Sequence, residues 1–482
     1  MEEVSVRPVD LGQLAALLPA DRAERLATAA DRARSAFGDR VVWHVNATSH
    51  GGGVAEMLQT LLAYAKGAGI ENRWLVLDGD PRFFAITKRL HNVLHGEPGD
   101  GGPLGPAEHA HYEEVLRANL AELVRRVSPG DIVLLHDPQT AGLAEGLREI
   151  GARVVWRCHV GRDRPNDVTD AGWEFLRPYV RHAQGLVFSR RAYAPQWVDG
   201  ELLAVIPPSI DPLALKNMAL APEQVTAILA RAGLVADGRR EGRVDFLRRD
   251  GTPGTVRSHR SSGGLLLGTD PPPPTVPLVV QVSRWDRLKD MAGVMEGFVR
   301  AVDEDDLNGA HLMLAGPEVS GVADDPEGAE VLGDCREEWR HLPAEVRGRV
   351  HLACVPMDDG DENAIIVNAL QRHAAVVVQK SLVEGFGLTV TEAMWKGRPV
   401  VASKLGGIQD QIVDGRDGLL VEDPYDIDEF ARILGRPLAD AGLASRLGAA
   451  AQARVAQEYV GDRHLAQYVE LFSDLVRHSD PA

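Results

Sequence analysis

Two trains of short apolar runs, separated by stretches of helical periodicity, leave few folds open to this chain. The first train is "RVVWHVN" (40–46), "RWLVLDG" (73–79), "DIVLLHD" (131–137), "RVVWRCHV" (153–160), "GLVFS" (185–189) and "LLAVIPPS" (202–209). Most of these runs end on polar residues, as buried parallel strands do. Helical spacing fills most of the gaps, as at Val54, Leu58, Leu61 and Leu62. The second train is "PLVVQVSRWDRLKD" (277–290), "AHLMLAG" (310–316), "VHLACV" (350–355), "AAVVVQKS" (374–381), "PVVAS" (399–403) and "DGLLVED" (417–423). Strands alternating with helices predict parallel, doubly wound sheets.

With 482 residues, the expected fold is α/β, two Rossmann-like domains with an interdomain cleft. The N-terminal domain is expected over 1–215, with 1–39 as a helical extension. The C-terminal domain is expected over 276–455, with a last helix in 456–482 returning toward the N-terminal domain. Residues 216–275 read as a linker. From about 235 to 275 it carries "RRDGTPGTVRSHRSSGG" and "TDPPPP", which predict a flexible surface insertion that buries little apolar area.

Several function classes fall away. A net charge of −18 argues against a sequence-independent grip on nucleic acid. Cys158, Cys335 and Cys354 are too few and too widely spaced for a disulfide framework or a zinc signature. The opening "MEEVSVRPVDLGQLAALLPADRAERL" lacks the basic and apolar regions of a signal peptide. No run reaches the roughly 18 apolar residues of a membrane span. The expectation is a cytoplasmic protein that binds neither nucleic acid nor membrane. Lysine occurs only at 66, 88, 216, 289, 380, 396 and 404, so a lysine at a strand end is more informative than an arginine there.

Four motifs lie where strands end, the place at which open α/β sheets bind ligands. Gly51, Gly52 and Gly53 join a strand to a helix. They either let backbone N–H groups approach an anion or sugar, or simply make a tight turn. In "SRWDRLKD", Arg284 and Lys289 follow a strand; they suit a diphosphate, or are two solvated cations. In "LVEGFGLTVTEAMWKG", Glu384 lies in a loop and Glu392 in the helix after it, with Phe386, Gly387 and Leu388 at the helix start. Carboxylates accept hydrogen bonds from hydroxyl pairs; the plainer role for Glu392 is helix capping. His159 in "WRCHVGR", with Asn46, His136, Asp137 and Gln139 at other strand ends, either binds a sugar or caps turns.

"EGFGLTVTEA" resembles the E-x7-E signature of retaining nucleotide-sugar glycosyltransferases of the GT-B fold, family four, and "SRWDRLKD" resembles their R-x4-K phosphate pair. "VWHVNATSHGGGVAEML", "HDPQ", "WRCHV", "PPSIDPLALKN" and "EGFGLTVTEAMWKG" narrow the resemblance to the trehalose glycosyltransferring synthases. It covers roughly residues 40 to 475 and fails at 235 to 275. It implies NDP-glucose, with UDP or ADP as nucleotide, as donor substrate and free glucose as acceptor. Glu392 would hold the nucleotide ribose. Glu384 would hold a donor-glucose hydroxyl, assisted by Phe386, Gly387 and Leu388. Arg284 and Lys289 would neutralise the diphosphate, and His159 would contact the sugar near its 6-hydroxyl. Gly51 to Gly53 would approach the donor phosphates or the acceptor; Asn46, Asp137 and Gln139 would face the acceptor. No cofactor is required on this reading, no metal-ligand cluster is seen, and a divalent metal would only stimulate. The partners are small sugars, with a homodimer as a weak family expectation. The glutamates would bind hydroxyls rather than serve as a glycosidase acid/base pair. Alternatives are a trehalose phosphorylase, which replaces the nucleotide by phosphate, and a non-catalytic sugar- or nucleotide-binding protein. A nucleotide-sugar epimerase shares the two Rossmann-like domains but not the N-terminal string.

Overall fold

The computed structural model describes residues 1–49, 53–236, 242–259, 264–319 and 326–477. It divides into two compact units, Met1–Ser209 with the stretch from Tyr459, and Ile210–Glu458.

The first unit is built on a seven-stranded sheet. Its strands are β1 (Glu2–Val4), β2 (Val42–Asn46), β3 (Asn72–Val76), β4 (Ile132–His136), β5 (Arg153–Cys158), β6 (Gly185–Phe188) and β7 (Leu203–Val205), in the order β1-β3-β2-β4-β5-β6-β7. All neighbours pair parallel except β1, which runs antiparallel to β3 along one edge. The residues 1–39 expected as a helical extension are part of the unit itself. The strand in them is only three residues long and carries two glutamates, so no apolar run announces it. Their long helix, Ala20–Phe37, buries Ala33 and Phe37 against the same core as Val42, Ile132, Leu134 and Val155.

Side chains alternate across a strand, and here the alternation sets the site. Ile132, Leu134 and His136 share one face of β4; Val155 and Arg157 share that face of β5. The C-terminal helix Gly461–Arg477 covers this face with Tyr468, Phe472 and Val476. Its Asp462 accepts from Arg22 Nε at 2.9 Å and Nη2 at 2.5 Å. The polar residues at the carboxyl end of the face are therefore buried beneath a helix distant in sequence.

The second unit holds a hairpin, β8 (Asp245–Leu247) and β9 (Pro253–Thr255), and six parallel strands. These are β10 (Leu278–Val282), β11 (His311–Pro317), β12 (Val350–Val355), β13 (Val376–Gln379), β14 (Val400–Ser403) and β15 (Leu419–Val421), in the order β12-β11-β10-β13-β14-β15. This is the doubly wound Rossmann order, in which the connections diverge on either side of the central pair, here β10 and β13. The buried runs "LVVQV" and "VVVQ" form that pair, each ending at a strand-end loop.

The insertion departs from its expected character. Residues 237–241 and 260–263 lie outside the described residues, but the rest is docked on the second unit. Val256 is fully buried, and Leu265 and Leu266 nearly so. Leu267 N donates to Leu352 O and Cys354 N to Leu265 O, extending the sheet edge beside β12. Arg248 forms a two-pronged pair with Asp359 at 2.8 and 2.6 Å. Arg257 reaches Asp358 and, through Nε at 2.5 Å, the fully buried Glu362. Arginine forks on carboxylates and a few well-placed leucines hold a segment whose Gly, Ser and Pro content reads as loose. Arg257→Ala would take the guanidinium from the buried Glu362, leaving the carboxylate the backbone N–H of residue 257 at 2.6 Å, and should cost about 3 kcal/mol. A urea unfolding curve checks this; an unchanged midpoint would return the segment to a passive loop.

Candidate functional site

In the second unit the loops leaving β10 and β13 carry the predicted donor-side residues. After β10 the chain alternates. Trp285 turns inward and donates to Pro317 O at 2.9 Å, while Arg284 turns out, more than half exposed, and pairs with Asp286 at 2.9 Å. Asp286 also accepts from Leu288 N, closing the short turn Arg287–Lys289. Gln281 fixes the turn by donating to Lys289 O at 2.7 Å. Lys289 Nζ thereby reaches Glu384 Oε2 at 2.7 Å. Ser381 Oγ donates to the same oxygen at 3.2 Å, Gln379 Nε2 donates to Ser381, and Thr389 donates to Gln379 Oε1. One chain of hydrogen bonds thus runs from the start of the helix Leu388–Trp395 to the Lys289 ammonium. Below it, the buried Lys380 pairs with Asp290.

Gly387 opens that helix at φ 82°, a left-handed conformation that glycine adopts without strain. A Cβ there would sit 3.0 Å from Ile408 Cγ1 and 3.3 Å from Glu384 Cγ. Gln411 donates to Phe386 O and accepts from Thr391, so the loop, the helix and the next turn are locked together. Phe386 is buried and Leu388 half-buried.

Glu392 lies in the second turn of the helix, only 4% exposed. Its Oε1 meets Lys216 Nζ at 3.4 Å, and its Oε2 has no hydrogen-bond partner among the described residues. Lys216 is held there by its backbone neighbours. Asn368 Nδ2 donates to Leu215 O and Met218 O, and Arg372 Nη2 to Asn217 O and Met218 O. Lys396, at the other end of the helix, is buried and donates to Asn217 Oδ1, Gln371 Oε1 and Glu392 O at 2.7–3.2 Å. Burial lowers its ammonium pKa to about 7, against an opposing pull from Glu392.

In the first unit a row of histidines runs from the middle of β2 through the ends of β4 and β5. His44 Nδ1 faces His136 Nε2 at 3.2 Å, and His136 Nδ1 faces His159 Nε2 at 3.1 Å. Arg157 Nε donates to His159 Nδ1 at 3.3 Å. Burial, with neighbouring positive groups, holds all three rings well below the usual histidine range, His44 at about 3. Asp137 takes φ 64°, unusual for a residue with a side chain, and accepts from His159 N at 2.7 Å. Burial raises its carboxyl pKa to about 7. Gln139 is half-exposed in the turn that follows. Asn46 is buried, with its amide engaged by Trp74 Nε1 and Thr48 O. Gly53 starts the helix Gly53–Gly67; Gly51 and Gly52 lie outside the described residues.

The structure brings Lys289 and Glu384 into contact and leaves Arg284 bonded to Asp286. It adds residues that the motifs did not mark: Lys216, Lys380 and Lys396 in one unit, Arg157, His464 and Tyr468 in the other. The scarcity of lysine was a usable signal for the first three. The last two sit on a helix some 300 residues from the strands they meet, and no local pattern marks them. Among the described residues no group of three or more His, Cys, Asp or Glu is arranged as metal ligands, and no helix is long and apolar enough to cross a membrane.

Lys396 supplies a test of this arrangement. Its folded pKa, about 7, lies below the ordinary 10.5. Between those values the unfolded chain binds the proton more readily, so this group's contribution to stability is full above about 10.5 and is lost as pH falls to about 7. Lys396→Met should remove that part of the rise in unfolding free energy with pH. Equal slopes for wild type and variant would contradict a buried lysine.

The family profile described as "Trehalose synthase, N-terminal domain" matches residues 44–195, and "Glycosyl transferases group 1" matches residues 359–454. A trehalose synthase of Rubrobacter xylanophilus is 36% identical over 90% of this chain and 90% of its own length. A trehalose phosphorylase of Pleurotus pulmonarius is 25% identical over 86% of this chain and 54% of its own. Among solved structures, an α,α-trehalose-phosphate synthase from Burkholderia xenovorans, 17% identical, overlays with a TM-score of 0.65 across 90% of this chain and 99% of that one, a likeness of fold. The identity to the Rubrobacter enzyme, sustained over nearly the whole length of both chains, shows that this chain belongs to the trehalose synthase family of GT-B glycosyltransferases.

Proposed function

We propose that the chain transfers glucose from an NDP-glucose to free glucose, reversibly and with retention, giving α,α-trehalose. The observation that carries this reading is Glu392, a buried carboxylate with one unsatisfied oxygen, in the helix that follows the Lys289–Glu384 pair. An unsatisfied buried acceptor costs about 1–3 kcal/mol, and a ribose hydroxyl is a donor that would relieve it. Lys289 and Arg284 supply positive charge at strand-end loops for a diphosphate. Glu384, held by Lys289 and Ser381 at a strand-end loop, is a carboxylate, an acceptor suited to a sugar hydroxyl. The half-buried His159 in the first unit has the size and polarity to meet the transferred sugar; Asp137 and Gln139 are the acceptor-side candidates.

In the proposed reaction the bond from the anomeric carbon to the phosphate oxygen breaks, and the electron pair leaves with the nucleoside diphosphate. The acceptor hydroxyl attacks from the same face, and its proton passes to the departing phosphate oxygen. Lys289 and Arg284 stabilise the charge that grows there. The two glutamates bind hydroxyls and transfer no proton. No step of this reading uses a cofactor.

The test separates this reading from a phosphorylase. Incubated with trehalose and UDP or ADP, the protein should release glucose and the matching NDP-glucose. With trehalose and phosphate alone it should release little glucose 1-phosphate. Faster cleavage with phosphate, and none with any nucleotide, would make it a phosphorylase and leave Glu392 without a ribose to hold.

A further inference from the structure

Arg157 is fully buried, and each hydrogen bond its guanidinium makes goes to a neutral group. Nε meets His159 Nδ1, Nη1 meets Tyr468 OH and His464 Nε2, and Nη2 meets Ile206 O. A guanidinium only donates. His159 Nδ1 therefore carries a lone pair, and the ring proton must sit on Nε2. An imidazolium at 159 is excluded by the same contact, because it has no lone pair to offer. The rest of the row follows. His159 Nε2–H donates to His136 Nδ1, which must then be bare, so His136 carries its proton on Nε2. His136 Nε2–H donates to His44 Nδ1, which fixes His44 as Nε2–H as well. On the other side, His464 Nε2 accepts from Arg157, so its proton sits on Nδ1 and points at Ser209 Oγ, 2.9 Å away.

We propose that Arg157 is a positioning residue that fixes His159 as the Nε2–H tautomer and, through His136 and His44, orders the whole row in one direction. The groups facing the row agree with this. Asp137 accepts from His159 N, and Tyr468 OH accepts from Arg157. Neither places a donor on a ring nitrogen that would reverse the order. The rings are nearly parallel, at 22° and 13°, and their centroids lie 5.5 and 5.4 Å apart, the spacing of imidazoles that meet edge to edge, so each N–H lies close to the plane of the ring that accepts it. The consequence for catalysis rests on the proposed contact of His159 with the donor sugar. His159 would offer the sugar an N–H and take a hydroxyl oxygen in place of His136 Nδ1. It would not act as a base from Nε2.

Nitrogen NMR of protein labelled at histidine reads tautomers directly, with assignments from single His→Gln variants. The expected wild-type spectrum shows His44, His136 and His159 protonated at Nε2 only, and His464 at Nδ1 only. A proton on His159 Nδ1, or an imidazolium there at neutral pH, would overturn the proposal. Arg157→Met should release His159 into a mixture of tautomers. Because that variant removes a fully buried group on which folding depends, His44→Gln carries the test independently. With direction set by Arg157, His159 keeps its Nε2–H tautomer in His44→Gln; a change of tautomer would show that the row is ordered from its other end. If the tautomers are as assigned and His159→Gln turns over trehalose at the wild-type rate, the row stands and the sugar contact is what fails.

Discussion

In the second unit, everything proposed for the donor depends on the adjacency of β10 and β13. Their crossovers leave to opposite sides of the sheet, toward β11 and toward β14, so the two strand-end loops meet with no connection laid across them. That is why residues 95 positions apart, Lys289 and Glu384, touch at 2.7 Å. The strands must be apolar on both faces to be buried there, and the polar residues at or next to their carboxyl ends, Gln281 and Gln379, are the ones that brace the loops. The first unit repeats the logic at β2 and β4, with His136 and His159 at the ends of β4 and β5 and His44 inside β2.

Both units bury charge, and they handle it differently. In the second, cations and anions are interleaved: Lys289 with Glu384, Lys380 with Asp290, Lys216 with Glu392. Lys396 is met by amide and carbonyl oxygens, and burial lowers its pKa to about 7. In the first, the hydrogen bonds of Arg157 reach imidazole, phenol and carbonyl acceptors. A buried cation surrounded by dipoles is costly, and it persists because several elements converge on it: β5, the loop after β7 and the last helix. Burial first, and the field of Arg157 with it, keeps the histidines beside it neutral.

Most strands of the two parallel sheets were legible because they are buried on both faces and so read as apolar runs, whereas β1, with its two exposed glutamates, was not. Glu384, Gly387 and Lys289 were legible because loop chemistry at a strand end needs particular residue types: a left-handed glycine, a carboxylate, a lysine in a chain with few. Arg157 was not, since it sits inside "RVVWRCHV" and nothing local shows that a helix at 461–477 will cover it. The insertion was misread for a related reason. Its composition describes its own chain, whereas its anchors, Asp358, Asp359 and Glu362, lie on the far side of β12 in sequence.

The most direct measurement of the account is calorimetric titration of UDP and ADP into wild type and Glu392→Gln. A ribose held by the Glu392 carboxylate loses a charge-assisted hydrogen bond in the variant, and the better-bound nucleotide should weaken by about 1.5–3 kcal/mol while the protein stays folded. Equal affinity in the two proteins, or no nucleotide binding by wild type, would contradict a nucleotide site at Glu392.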